Sequence, residues 1–351
     1  MAYTVIDKPS DYFNTVLYTG TGAELAISGV GFQPDWTWIK IRNESSSHEI
    51  FDSVRGATKT INSNTNGAEA TIAQTLKSFD SDGFTLGTDG DVNYDDSQTG
   101  VAWNWKAGTA FTNDASATGV GSIDSAGSVN TDAGFSIIRY GGTGSLGTVA
   151  HGLGVAPSFI AFKRLDTTGN WVNYHKSIGA TKYLRFDTDS AEITASDEFN
   201  DTEPTSTVFT VETDGAVNAS GTNNIIAYCF ADVKGYSKFG EYAGNGNADG
   251  TFVYTGFKPA FVMVKRYDGA GQGWNMFDNK RDPFNLVDEF LIANSNNAEA
   301  TGGALNLDFL SNGFKFRGTD GGSNTSGSEY IYMAFAESPF TTSTGIPATA
   351  R

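Results

Sequence analysis

Residues 36–42 read WTWIKIR, residues 159–164 read FIAFKR, and residues 261–266 read FVMVKR. Each stretch is almost continuously apolar before its lysine, a pattern typical of strands that are shielded on both faces. The three stretches can be aligned through Lys40, Lys163 and Lys265. This alignment predicts that the chain is a tandem repeat of three units.

The similarity extends on both sides of these strands. Units one and three share the pattern Asn-x-Asn-x-Ala-Glu-Ala-Thr at residues 64–71 and 294–301. Each unit closes on an apolar strand, at residues 101–105, 225–230 and 331–335. The repeat is about 100 residues long, a size at which two antiparallel sheets can enclose one core.

The composition favours strands over helices. Of the 351 residues, 42 are glycines and 13% are aromatic. This mixture suits short strands joined by turns. We therefore expect an all-β chain of tandem antiparallel β-sandwich units, jelly-roll or lectin-like. The predicted units span 1–108, 134–236 and 237–351, the last with a C-terminal tail, and residues 109–133 form a Gly/Ser/Asp-rich linker.

The charge and the hydropathy exclude two classes of partner. Lys and Arg number 23 and Asp and Glu 40, so the net charge is 23 − 40 = −17, which would repel nucleic acid. The sequence has no apolar run long enough to span a membrane and no apolar signal-peptide region at its start. We expect folding in a cytoplasm, no nucleic-acid binding and no membrane insertion.

The sequence lacks the usual signatures of catalysis. The three histidines fall at three different positions of the repeat, and the single cysteine, Cys229, lies in an apolar strand. Residues 142–147 match a dinucleotide-loop pattern, but no helix follows, so a hairpin turn explains the glycines better. We expect no enzyme and no organic cofactor, although the sequence does not decide whether two of its 40 carboxylates form a catalytic pair.

Calcium is the metal that the sequence allows. Asp80 and Asp82 flank a turn, and Asp89 and Asp91 flank the next one, so oxygen ligands fall at alternate positions. The same residue types are also typical of turns without a metal, and this is the alternative interpretation.

Two tryptophans are candidates for glycan binding. Trp171 and Trp274 both follow Gly- and Asp-rich turns, where an indole at a sheet edge could stack on a sugar ring. Core packing at the start of a strand is the alternative.

Several strings resemble a known family. Residues 6–13 (IDKPSDYF), 51–56 (FDSVRG), 235–240 (GYSKFG) and 331–336 (IYMAFA) resemble a repeat-domain family of uncharacterised function found in tail-fibre and virion structural proteins of marine bacteriophages. The resemblance implies a virion protein, in the tail more than on the capsid surface, assembled in the host cytoplasm.

The predicted function combines this resemblance with the architecture. We expect a tail fibre or tail-associated adhesin that binds a host surface glycan without catalysis and contacts other virion proteins. The alternatives are a non-adhesive structural component (tail collar, fibre attachment or capsid decoration) and, third, a polysaccharide depolymerase. Because isolated sandwiches leave sheet edges unpaired, we also expect a homotrimer.

Overall fold

The computed structural model describes residues 4–222 and 224–349. The outermost residues of the predicted first and third units, 1–3 and 350–351, lie outside this part, as does Asn223. Over the described residues the chain forms 28 strands, all paired antiparallel in their sheets. In the same part of the chain the helical elements are three single turns: a 3-10 turn over Pro9–Asp11, α1 over Ala115–Thr118 and α2 over Gly215–Asn218. The all-β prediction is confirmed, and the jelly-roll arrangement stays a prediction.

Unit 1 contains the first nine strands. They are β1 (Phe13–Thr19), β2 (Leu25–Ser28), β3 (Trp36–Ile41), β4 (Glu49–Asp52), β5 (Lys59–Asn62), β6 (Ala70–Thr71), β7 (Leu76–Asp80), β8 (Gly83–Leu86) and β9 (Thr99–Trp105). Six of them form a large sheet in the order β1-β9-β3-β4-β5-β6. The other three form a small sheet, β2-β8-β7.

Unit 2 contains the next ten strands. They are β10 (Thr109–Asn113), β11 (Ser125–Asn130), β12 (Phe135–Tyr140), β13 (Gly147–Ala150), β14 (Phe159–Arg164), β15 (Val172–His175), β16 (Lys182–Tyr183), β17 (Ile193–Thr194), β18 (Val208–Val211) and β19 (Ile225–Phe230). The large sheet has the order β10-β11-β12-β19-β14-β15. Two pairs, β13-β18 and β16-β17, lie outside it.

Unit 3 contains the last nine strands. They are β20 (Ser237–Ala243), β21 (Phe252–Tyr254), β22 (Phe257–Arg266), β23 (Asn275–Asp278), β24 (Glu289–Ile292), β25 (Ala300–Thr301), β26 (Leu307–Leu310), β27 (Gly313–Phe316) and β28 (Glu329–Pro339). The large sheet has the order β20-β28-β22-β23-β24-β25, and β21-β27-β26 form the small one. Unit 3 thus repeats the topology of unit 1.

The three lysines occupy equivalent places, as predicted. Four strands follow one another in the same order in all three large sheets: β1-β9-β3-β4, β12-β19-β14-β15 and β20-β28-β22-β23. In these sheets Lys40 lies opposite Val101, Lys163 opposite Ile226, and Lys265 opposite Ile331. The register of the repeat is therefore confirmed strand by strand.

The segment 109–133 is not a linker. Its strands β10 and β11 add to the free edge of β12, so it belongs to the large sheet of unit 2. A Cβ on Gly127 would lie only 1.8 Å from the carbonyl oxygen of Ile137. The small residues of this segment therefore permit close strand packing. Their abundance predicts a flexible linker only when the composition is considered without the neighbouring strands.

A proline lies two residues before each apolar run, at Pro34, Pro157 and Pro259, which predicts that all three open equivalent strands. Pro34 and Pro157 do precede β3 and β14, but Pro259 lies inside β22. It sits at a register shift in the pairing of β22 with β28. A bulge tolerates the missing N–H there.

One core is shared by all three units. The inner faces of the large sheets meet in a single apolar cluster, rich in aromatic residues, to which every unit contributes. Ring contacts join each pair of units: Trp36 stacks on Tyr228 (4.9 Å between centroids), Phe186 meets Trp274 (4.6 Å), and Phe13 stacks on Phe335 (5.2 Å). The units therefore form one body around a shared core.

Each unit also has an apolar cluster of its own on the outer face of its large sheet. In unit 1, Ile39 and Phe51 of the large sheet pack with Ile27 and Phe84 of the small sheet. Corresponding clusters hold the small sheets of units 2 and 3. The strands that carry the apolar runs, β3, β14 and β22, are thus buried on both faces, as the sequence predicts.

An equivalent loop of each unit reaches into the next unit. The backbone N–H groups of Glu69, Glu192 and Glu299 donate to the carbonyl oxygens of Leu165 (2.9 Å), Tyr267 (2.8 Å) and Arg42 (2.6 Å), respectively. The carbonyl oxygens of Asn66, Asp189 and Asn296 accept from Gly169 N (2.9 Å), Gly271 N (3.0 Å) and Ser46 N (3.0 Å). These bonds run from unit 1 to 2, from 2 to 3, and from 3 back to 1, so the ring is closed.

Candidate functional site

The two predicted glycan-binding tryptophans are buried between units. Trp171 and Trp274 lie in the shared core, and their indole N–H groups donate to Asn62 O and Arg185 O of the preceding unit, both at 2.8 Å. His48 takes the corresponding place in unit 1, with its Nε2 3.1 Å from Ile292 O. Neither indole offers a face to a sugar, so this prediction is wrong and the core-packing alternative is right. Each indole is buried because the preceding unit covers it, and the residues next to it in the sequence give no sign of that contact.

The first pair of predicted calcium ligands accepts hydrogen bonds from other groups of the protein. Asp80 accepts from the hydroxyls of Ser78 (2.8 Å) and Thr85 (2.7 Å). Asp82 accepts from the backbone N–H groups of Gly29 (3.1 Å) and Gly31 (2.6 Å). The two carboxylates therefore stabilise the β7–β8 turn and the loop beside it.

The second pair lies in the loop after β8. Asp89 accepts from Asp91 N (3.0 Å), and Asp91 accepts from Ser47 N (3.3 Å). Burial raises the pKa of Asp91 above its ordinary value. Within the described ranges, no three His, Cys, Asp or Glu side chains form a group that could hold a metal ion. All four aspartates thus accept hydrogen bonds from the protein: Asp80 and Asp89 from residues of their own turns, and Asp82 and Asp91 from neighbouring loops.

The titratable groups that nucleophilic catalysis would use are buried. Burial lowers the pKa of His151 to about 4 and that of His175 to about 3, and it lowers the pKa of His48 well below its ordinary value. The same cause raises the pKa of the Cys229 thiol. These side chains are therefore neutral at pH 7 and serve the packing of the sheets.

Unit 3 carries an exposed aromatic pair that sets it apart from the other two units. Phe252 and Tyr254 are 43% and 49% exposed on strand β21, and Val253 between them is buried. The register places them at the positions that Ala26 and Ser28 occupy in unit 1 and that Thr148 and Ala150 occupy in unit 2. We call Phe252 and Tyr254 the aromatic platform.

A cleft of about 410 Å³ lies beside the aromatic platform, at the junction of units 2 and 3. Its lining combines Tyr254 with Asp232, Lys234, Lys238 and Thr255. Lys238 Nζ lies 5.2 Å from the centroid of the Tyr254 ring and donates to the Tyr254 carbonyl oxygen at 2.7 Å. Asp232 accepts from Phe239 N at 2.9 Å and is paired with Lys176.

The chemistry of this site is that of recognition. An exposed aromatic face stacks on the C–H face of a sugar ring, and the adjacent ammonium and carboxylate groups can exchange hydrogen bonds with hydroxyls. The sequence contains a signal for this pair. Period-two alternation places residues 252 and 254 on the same outer face of their strand, and the equivalent positions of units 1 and 2 hold small residues. Aligning the three units strand by strand therefore reveals the two aromatic residues.

These observations define a class of protein: an all-β chain in which three repeated sheets surround one core. The chain belongs to the family described as a domain of unknown function (DUF7483), whose model matches residues 8–339. No curated protein matches the chain, and no solved structure matches it. No helix in the part of the chain that the structure describes is long and apolar enough to cross a membrane.

Proposed function

We propose that the protein is a bacteriophage virion component, a tail fibre or tail-associated adhesin, that binds a host surface glycan without catalysis. The resemblance of its repeats to virion proteins supports the location. The aromatic platform supports the binding, because two large aromatic side chains exposed where the sister units carry small residues are costly to leave in water. In this proposal each unit is a lectin-like β-sandwich.

The proposed binding mode follows from the surroundings of the aromatic platform. A sugar ring would stack on the exposed part of Tyr254 or Phe252, and its hydroxyls would reach Lys238 and Asp232 in the cleft. The ring closure of the three units supports a rigid, preorganised surface, which reduces the entropy lost on binding.

The proposed partners are other virion proteins and a second and third copy of the chain. The alternative function, a structural collar, attachment or decoration protein, is favoured by the shared core, because a single rigid body transmits load between its neighbours. It needs no glycan site, and so the two functions differ in what the aromatic platform does.

The decisive experiment measures binding of the purified chain to host cells and to a glycan array. The double variant Phe252→Ala/Tyr254→Ser is expected to bind at least tenfold more weakly, while Tyr94→Ser, which removes another exposed tyrosine, is the matched control and is expected to bind normally. Failure of the wild-type chain to bind any host surface would overturn the adhesin and favour the structural role.

A further inference from the structure

A second cleft, of about 330 Å³, lies between units 3 and 1. On one side it is lined by Phe13 and Thr15 of β1, and on the other by Asn279, Lys280 and Glu337 of unit 3. We call it the 3/1 cleft. Its volume is at the lower end of the range found for ligand pockets, enough for one sugar-sized molecule.

The 3/1 cleft exists because unit 1 has a small residue at a core position. Thr15 lies opposite Trp103, and the register places Ile137 of unit 2 and Phe239 of unit 3 at the same position. Both of these larger side chains fill the shared core. Thr15 leaves the space open, and its hydroxyl, on a residue only 3% exposed, has no hydrogen-bond partner.

A second oxygen without a partner belongs to Asn279. Its Nδ2 donates to Glu337 at 2.7 Å, but its Oδ1 accepts no hydrogen bond, and the residue is only 6% exposed. At the same position, Ser53 of unit 1 donates to Asp35 (2.8 Å), and Lys176 of unit 2 pairs with Asp232. Buried polar atoms are normally satisfied, and two of the thirteen exceptions among the described residues lie beside this one cleft, where a ligand would supply their partner.

Charge and shape narrow the chemistry of that partner. Glu337 is paired with Lys258 at 3.2 Å, whereas within the described residues no ion pair holds the Lys280 ammonium group. Unit 3 also has a longer loop here: residues 282–288 separate Arg281 from Glu289, where residues 56–58 suffice between Arg55 and Lys59. This loop brings Pro283 to the cleft and leaves the next residue, Phe284, 75% exposed.

We propose that the 3/1 cleft is a binding site for a small polyhydroxylated carboxylate, a sugar acid of the hexuronate type. Hydroxyl groups of the ligand donate to Asn279 Oδ1 and exchange hydrogen bonds with Thr15. The carboxylate pairs with Lys280, and the apolar face of the ring lies against Phe13 and Pro283. This site is separate from the aromatic platform and does not depend on the proposed adhesin function.

The test is titration of the purified full-length chain with D-glucuronate and D-glucose, followed by calorimetry or protein-observed NMR. Wild-type protein is expected to bind glucuronate at millimolar concentration or below, and at least tenfold more tightly than glucose. Lys280→Met is expected to remove that preference for the acid. The matched control, Lys77→Met on the β7 surface, is expected to keep it.

The second variant fills the site with a residue that a sister unit already tolerates. Thr15→Ile copies Ile137 and is expected to fold and to abolish glucuronate binding. Thr15→Val replaces the hydroxyl with a methyl group of nearly the same size and is expected to weaken binding. The Phe252→Ala/Tyr254→Ser variant is expected to bind glucuronate normally, which separates this site from the adhesin proposal. The inference is overturned if wild-type protein does not bind glucuronate, or if Lys280→Met and Thr15→Ile bind it as tightly as wild type.

Discussion

The phenol of Tyr228 in unit 2 donates a hydrogen bond of 2.6 Å to the buried carboxylate of Asp52 in unit 1. The indole of Trp103 in unit 1 makes the equivalent bond to Asp278 in unit 3, at 3.0 Å. At the third interface the corresponding position holds His175, whose Nε2 lies 3.3 Å from Tyr332 O. Two of the three interfaces are thus joined through an aspartate and the third through a histidine.

Removing the phenol at the first of these interfaces should destabilise the protein. Tyr228→Phe deletes only the hydroxyl and leaves Asp52 with one donor fewer in a dry environment, so we expect a loss of about 1.5–3 kcal/mol in the free energy of unfolding. Guanidinium unfolding measures it, with the exposed Tyr94→Phe as a control that should change little. An unchanged midpoint for Tyr228→Phe would show that the interface does not depend on this bond.

The buried aspartate itself should matter more. Asp278 pairs with Arg281, both side chains are fully buried, and Arg281 also pairs with Glu299 at 2.9 Å. Asp278→Ala leaves the guanidinium with incomplete compensation, and we expect a loss of about 3–5 kcal/mol. Asp268→Ala breaks a partly exposed pair with Arg266 and should cost less than about 1 kcal/mol. Equal losses for the two variants would contradict this assignment.

The histidine interface should make stability depend on pH. Burial lowers the pKa of His175 to about 3, below its ordinary value of 6.5, so below pH 6.5 the unfolded chain binds a proton that the folded chain does not. This contribution to stability is therefore lost as the pH falls. Between pH 7.5 and 5.0 the loss from this one group is ~2 kcal/mol.

The measurement is the difference in unfolding free energy between wild type and His175→Gln across that range. Glu49 and Glu198, whose pKa values burial raises to about 7, act in the opposite direction, since they favour the folded state as the pH falls. Because both proteins contain these glutamates, their effect cancels in the difference. A difference that stays constant with pH would exclude His175 as a source of acid sensitivity.

Self-association should increase with salt. At a net charge of −17, copies repel one another across a Debye length of about 30 Å at 0.01 M salt and about 3 Å at 1 M. Exposed apolar side chains such as Phe284, Ile346 and Leu146 offer contacts once the repulsion is screened. Light scattering over a salt series is expected to detect a trimer at high ionic strength, and a monomer at every concentration and salt level would defeat the homotrimer.

The sequence predicted the elements of the fold because they are coded locally. Apolar runs ending in Lys40, Lys163 and Lys265 defined equivalent strands. The pattern Asn-x-Asn-x-Ala-Glu-Ala-Thr marks two units, whereas its copy in unit 2, residues 187–194 (DTDSAEIT), keeps only three of the six fixed residues. All three copies form the loops that enter the next unit.

The rest depends on contacts that no single unit contains. Trp171 follows a polar turn, as an exposed residue would, and it is buried only because unit 1 covers it. The space at Thr15 likewise arises from a comparison between units, since a threonine in a strand carries no local sign of a cleft. The aromatic platform could have been recognised from the repeat alignment alone.

The closed ring has a consequence for synthesis on the ribosome. Arg42 binds Glu299 through its side chain at 2.8 Å and accepts the Glu299 backbone N–H, yet 257 positions separate the two residues. At about 5–20 residues per second, roughly 13 to 50 seconds pass between the emergence of one and of the other. During that time the loop acceptors of unit 1 have no partner. The ring of three units therefore cannot close until the last hundred residues have been translated. Until then the surface of unit 1 that binds unit 3 stays exposed to other chains.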